Sequence, residues 1–266
     1  MAILSNTPIE ARLRLRSGLH LKVVDRGPID GRPVLMLHGW GDSAWSFSPV
    51  LPLLAPDIRA IVPDQRGHGD SDRPLQGYEM FSLAGDALDL LDALEIPRAT
   101  VVGHSMGGFV AHHLAAIAPA RVERLILVSS SMDPRVEPVK ALGEMVDAIA
   151  DPVDPRFVHD FQASTIASDV PEAFFREVLA ESHKLPARVW KAAYRGFIDN
   201  APADPRRVPC PVDLLWGDRD ELFSRAEQER NVRAHPGARL TVLEGVGHAA
   251  HWEEPQALAR LLDQRV

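Results

Sequence analysis

Short uninterrupted apolar runs alternate along this chain with longer stretches in which apolar residues return every third or fourth place. The runs at 34–37, 60–62, 100–102, 125–128, 212–216 and 240–243 have the length and continuity of strands buried on both faces, as in a parallel sheet. Between them, 83–94 sets Leu83, Ala87, Leu90, Leu91 and Leu94 on one face of a helix, and 108–118 and 257–262 read the same way. Two further short runs, 13–15 and 19–24, flank Ser17-Gly18 and predict an opening antiparallel hairpin. Strands alternating with helices imply right-handed crossovers. The expected fold is α/β, a mostly parallel, eight-stranded, doubly wound sheet with helices on both faces.

The rhythm breaks between 132 and 205. Prolines follow Asp133, Asp151, Asp154, Val170, Leu185 and Ala201, separating short helical pieces with no convincing strand among them. Such a stretch is too long for an idle loop in a compact domain. The expected organisation is a core of 1–131 and 206–266 with 132–205 inserted as a helical cap.

Composition narrows the class. With 266 residues, 45% of them hydrophobic, the chain can bury roughly three quarters of its unfolded surface in one core. A formal net charge of −8 without a basic cluster argues against nucleic acid and anionic membrane surfaces as partners. No apolar run reaches the roughly 18 residues of a membrane span, and residues 1–17 mix apolar positions with Arg instead of forming a leader. A soluble, cytoplasmic protein is expected. The single cysteine, Cys210, sits between Pro209 and Pro211 and reads as a buried spacer.

The candidate chemistry centres on Gly103-His104-Ser105-Met106-Gly107, where a strand-like run ends at a serine with glycine two places to either side. This Gly-x-Ser-x-Gly pattern is that of a nucleophile elbow, a turn tight enough to admit only hydrogen at its flanking Cα positions. A serine nucleophile needs a base, an acid to orient the base and two N–H donors for an oxyanion. His248, in the glycine-rich loop after the last strand, is the expected base. Asp220, in the loop after the preceding strand, is the expected acid. The backbone N–H of Met106, at the start of a helix, and that of Trp40, after the strand 34–37, are the expected oxyanion donors.

Other residues of the right type have plainer readings. Asp218 follows a turn glycine and is expected to cap its loop, and Asp133 is the less favoured acid. His251 lacks a third ligand at metal spacing, His38 is expected to support its loop, and His104, His112 and His113 need no chemical role. Residues 63–72 look like a self-bonded loop beside the site. Trp45, Phe47, Phe157, Phe161, Phe174, Phe175 and Trp190 are the candidates for an apolar acyl pocket, or for plain core.

Together, His38-Gly39-Trp40, the segment from Asp64 to Ser71, the elbow, Gly217-Asp218-Arg219-Asp220 and Gly247-His248 resemble the cap-bearing α/β-hydrolases, a group of esterases, lactonases, carbon–carbon bond hydrolases and cofactor-free haloperoxidases. The order Ser, Asp, His is that family's order. Dehalogenases and epoxide hydrolases of the same fold place an aspartate where Ser105 stands, which argues against both. Carbon–carbon hydrolases usually carry Asn before the serine and Trp after the histidine, whereas His104 and Ala249 stand here. The resemblance implies an acyl-enzyme on Ser105 formed from a small ester or lactone, with no metal or organic cofactor. A lactonase, a carbon–carbon hydrolase, a perhydrolase or a ligand receptor on the same shell are the alternatives, and oligomeric state is left open.

Overall fold

The computed structural model describes residues 9–265, so the first eight residues of the leader reading lie outside it. Its sheet holds β1 (Ile9–Arg14), β2 (His20–Arg26), β3 (Arg32–Leu37), β4 (Ile58–Pro63), β5 (Ala99–His104), β6 (Val122–Val128), β7 (Val212–Gly217) and β8 (Arg239–Leu243). Their order is β1-β2-β4-β3-β5-β6-β7-β8. β2 runs antiparallel to both its neighbours, and β3 to β8 pair in parallel. The expected hairpin forms, with Leu15 and Leu19 closing its turn and Gly18 at φ +86°.

Along the central strands successive side chains point to opposite faces, and both faces are dry. Leu35, Leu37, Val101, Leu125 and Leu214 join one apolar cluster, while Val34, Met36, Val102, Ile126 and Leu215 join the other. Helices α1 (Met80–Ala93) and α2 (Met106–Ile117) contribute Leu83, Leu90, Leu91 and Leu114 to the first cluster. Each such leucine contributes about 1.5–3 kcal/mol by leaving water. β8 departs from expectation: it is the sheet's edge, and Arg239, Thr241 and Val242 are exposed, so it is not covered on both faces.

Between β6 and β7 the chain forms α3 (Glu137–Ala148), α4 (Pro155–Ala163), α5 (Glu172–His183) and α6 (Ala187–Ile198), with no strand. Pro155 opens α4, and Pro171 and Pro186 stand at the N-caps of α5 and α6, where a missing N–H costs nothing, while Pro134, Pro152 and Pro202 lie in the connections. After β7 come α7 (Arg225–Ala234), the single turn α8 (Ala250–Glu253) and α9 (Pro255–Arg265). The apolar repeat does not announce α7, because its buried residues include the polar Gln228 and Asn231.

The topology itself selects a site. From β3 the chain crosses to β4 on one side and then to β5 on the other, so the C-terminal ends of β3 and β5 flank the crevice where such sheets bind ligands.

Candidate active site

Ser105 leaves β5 and enters α2 with φ +50° and ψ −117°, a conformation that costs a non-glycine residue about 1–3 kcal/mol. Its surroundings hold it there. A β-carbon on Gly107 would collide with the Leu37 carbonyl, and one on Gly103 with the Gly107 carbonyl. Ser105 N–H donates to Val128 O at 3.0 Å, and its carbonyl accepts from Ser130 Oγ at 2.9 Å. Ser130, at the end of β6, is in turn fixed by Gln228 and Asn231, whose amides donate to its carbonyl. Those two residues make the buried face of α7 polar, and neither is marked by a short motif.

His248 Nδ1 lies 3.0 Å from Asp220 Oδ2. Asp220 Oδ1 accepts from the N–H groups of Leu222 and Phe223 at 2.9 and 3.0 Å, so the carboxylate is held on both sides and buried. A carboxylate facing Nδ1 fixes the proton on that nitrogen and leaves Nε2 as the basic one. The loop carrying His248 is anchored as well. Gly247 N–H donates to Glu253 Oε1, and Ala249 N–H to the Thr165 carbonyl just past α4. Asp218 accepts from Gly245 N–H at 2.7 Å, the capping role expected of it, and Asp133 is engaged at the surface by Arg135.

Trp40 follows β3, and its indole donates to the Trp190 carbonyl on α6 at 3.0 Å. Among the described residues the Trp40 backbone N–H has no backbone acceptor. Met106 opens α2, where the first N–H groups have no helical acceptor. His38 fixes this loop: its Nδ1 donates to Gly39 O and its Nε2 accepts from Gln65 N–H, an arrangement that requires a neutral ring. Burial lowers its pKa in keeping with that.

Ser105, His248, Trp40 and Met106 line one cavity of about 30 Å³. Asp220 stands behind His248, outside the lining. Of the aromatics expected to line an acyl pocket, Phe161 alone does so. Phe109, Phe197, Phe223 and Trp252 take the other positions, while Phe47 and Trp190 are core. Phe161, Gln162 and Thr165 bring the α4 region over the cavity, joined by Leu142 and Phe197 of α3 and α6.

A second polar cluster faces the same cavity, and sequence reasoning missed it. Asp42 is buried beside the Trp40 loop; it accepts from Gln162 Nε2 at 3.1 Å and from Ser46 Oγ at 3.2 Å. His104 Nδ1 is 3.7 Å from Asp42 Oδ2, too long for a hydrogen bond, while His104 Nε2 is 3.2 Å from the His248 carbonyl. His251 Nε2 meets Ser46 Oγ at 2.8 Å, so the fully buried His251 belongs to this cluster. Burial lowers the pKa of both His104 and His251.

One carboxylate cluster has metal-like spacing. Oxygens of Asp64, Asp70 and Glu181 lie within 4.8 Å of one another. The Lys184 ammonium, 2.8 Å from both Asp70 and Glu181, already supplies the cation there. Asp64 is committed to the N–H groups of Ala44 and Asp70, as a self-bonded loop requires.

The comparisons with known proteins concern the family and the fold. The family model for the alpha/beta hydrolase fold matches residues 32–255. An uncharacterized protein of Mycobacterium tuberculosis is 31% identical over 88% of this chain and 74% of its own. A non-heme chloroperoxidase of Streptomyces lividans is 30% identical over 91% of this chain and 94% of its own. A hydrolase of Pseudomonas aeruginosa superposes with a TM-score of 0.83 at 26% identity, covering 95% of this chain and 96% of that one. With the sheet order, the elbow and the family match in agreement, the chain belongs to the α/β-hydrolase family.

Proposed function

We propose that this protein is a serine hydrolase that cleaves a small carboxylic ester through an acyl-enzyme on Ser105. The observation that carries the reading is the His248–Asp220 pair at 3.0 Å beside a cavity that Ser105 also lines from its positive-φ turn. Ser105 Oγ makes no hydrogen bond to the imidazole among the described residues, and such contacts often tighten only around substrate.

In the proposed cycle His248 Nε2 takes the Ser105 proton as Oγ adds to the ester carbonyl. The Trp40 and Met106 N–H groups hold the resulting oxyanion. Collapse expels the alkoxide, which receives the proton from His248. Water then adds to the acyl-enzyme by the same steps and frees the acid.

A cavity of about 30 Å³ holds a water molecule or two and no ester. Residues 132–205 therefore act as a cap over the core, and the α4 region has to move for substrate to enter. The test is hydrolysis of p-nitrophenyl esters from acetate to laurate by the wild type and Ser105→Ala. Turnover that is greatest for short chains and falls on the order of 10⁶-fold in the variant is expected. A loss below about tenfold would remove Ser105 from this role.

The chloroperoxidase relative supports a second reading, in which hydrogen peroxide replaces water and the acyl-enzyme yields a peracid. Adding peroxide to the same assay distinguishes them by product.

A further inference from the structure

We propose that the cavity wall formed by Asp42, His104 and Gln162 selects a substrate bearing a hydrogen-bond donor, a hydroxyl or an ammonium group, beside its reacting carbonyl. The inference rests on the ester reading for the position of that carbonyl; the demand for a donor belongs to the wall itself.

The argument is a count of protons. His104 Nε2 faces the His248 carbonyl, which can only accept, so that nitrogen carries the proton and a neutral ring leaves Nδ1 as a bare acceptor. Nδ1 points toward Asp42 Oδ2, another acceptor, and has no hydrogen-bond partner. Gln162 must present its NH₂ to Asp42 Oδ1 and Ser182 Oγ, because the Ser182 hydroxyl already donates to Val178 O. Gln162 Oε1 is thereby left without a partner. Ser46 accepts from the Trp252 indole N–H, meets His251 Nε2 and gives its single proton to Asp42 Oδ2, so it has no proton left for His104 or Gln162. The wall holds more acceptors than protons.

Asp42, His104 and Gln162 all line the cavity, and all three are at least nine-tenths buried. No Lys or Arg is among the lining residues to supply the missing donors. The wall also adjoins the proposed oxyanion donors. A β-carbon on Gly39 would lie 2.9 Å from His104 Nδ1 and 3.0 Å from Asp42 Oδ2. A carboxylate so near an oxyanion opposes its formation unless a donor lies between them. His104 Nδ1 and Gln162 Oε1 are sealed in this closed wall, and a substrate hydroxyl or ammonium admitted as the α4 region moves supplies the donor that satisfies buried groups otherwise costly to leave unpaired.

The test uses three ligands on one scaffold: methyl lactate, alanine methyl ester and methyl isobutyrate, which place OH, NH₃⁺ and CH₃ on the same carbon. Binding to the Ser105→Ala protein is measured by ligand-observed NMR, so that hydrolysis plays no part. At least one donor-bearing ester is expected to bind about tenfold or more tighter than isobutyrate, in line with a hydrogen bond to a charged group. Which of the two binds tighter identifies the donor as neutral or cationic. Adding Asp42→Asn should shrink the ratio below about threefold. Gln162→Met, which removes the unpaired amide oxygen on the cap side, should lower it too and serves if Asp42→Asn does not fold. Isobutyrate binding as tightly as both others, or failure of the donor-bearing esters to bind, overturns the proposal. Wild-type turnover is read separately: donor-selective binding without hydrolysis of any ester would sink the hydrolase reading and leave this inference standing, whereas hydrolysis with no donor preference would do the reverse.

Discussion

Two acid–imidazole pairs flank the same cavity, and they are built in opposite ways. In the Asp220–His248 pair the carboxylate accepts from the imidazole at 3.0 Å and from two backbone N–H groups, so its hydrogen bonding is complete before anything binds. In the Asp42–His104 pair the nearest atoms are 3.7 Å apart, and His104 Nδ1 is buried with no partner. On the proposed reading the first pair moves a proton between its ring and a nucleophile, and the second receives a donor from outside. Complete local satisfaction marks positioning machinery, and a buried shortage of donors marks a place where a ligand supplies them.

Several substitutions break or sharpen this contrast. The largest effect after loss of Ser105 is expected from Asp220→Asn, which keeps the shape but offers the imidazole the wrong partner. Turnover should fall on the order of 10⁴-fold, read from steady-state ester hydrolysis. A fall below about tenfold would move the acid elsewhere.

A third imidazole pair, remote in role, extends the contrast to stability. His112 Nε2 faces His235 Nε2 at 2.9 Å with no carboxylate between them, and burial pushes the His112 pKa down to about 3. Because the folded value lies below the unfolded value near 6.5, the unfolded chain binds the extra proton between those limits. Stability should therefore be intact above about pH 6.5 and decline as pH falls toward 3, by about 1 kcal/mol per pH unit from this residue. Urea unfolding at several pH values should show a shallower decline for His112→Gln; an unchanged slope would contradict the assignment.

The smallest effect is expected from Asp133→Asn. This carboxylate is held below its usual range chiefly by its hydrogen bond to Arg135, at the surface, where such pairs contribute about 0–1 kcal/mol. Activity should stay within about twofold of wild type, and a large loss would make Asp133 a rival to Asp220.

The same contrast explains what the sequence disclosed. Ser105, Asp220 and His248 each sit in a short glycine-marked motif at a strand end, so their order along the chain was enough to nominate them as a set, and the fold brings Asp220 to His248 and sets Ser105 and His248 on one cavity. Strands β3 to β7 were legible because burial on both faces leaves a continuous apolar run. At β8 the apolar residues mislead, since an edge strand with similar composition is partly exposed. The wall was illegible for a different reason. Asp42, His104 and Gln162 come from three distant segments, and their shared property is an excess of acceptors that exists only once α4 lies over the crevice. Helix α7 escaped similarly, because Gln228 and Asn231 are buried for the sake of the Ser130 carbonyl and not for apolar packing.

The most direct test of the central claim is to mix the protein with p-nitrophenyl acetate, quench within the first turnovers and weigh the protein and its peptides by mass spectrometry. The account predicts one added acetyl group on the peptide containing Ser105, accumulating in Asp220→Asn and absent from Ser105→Ala. Hydrolysis without acetylation of Ser105, or acetylation that survives Ser105→Ala, would contradict it.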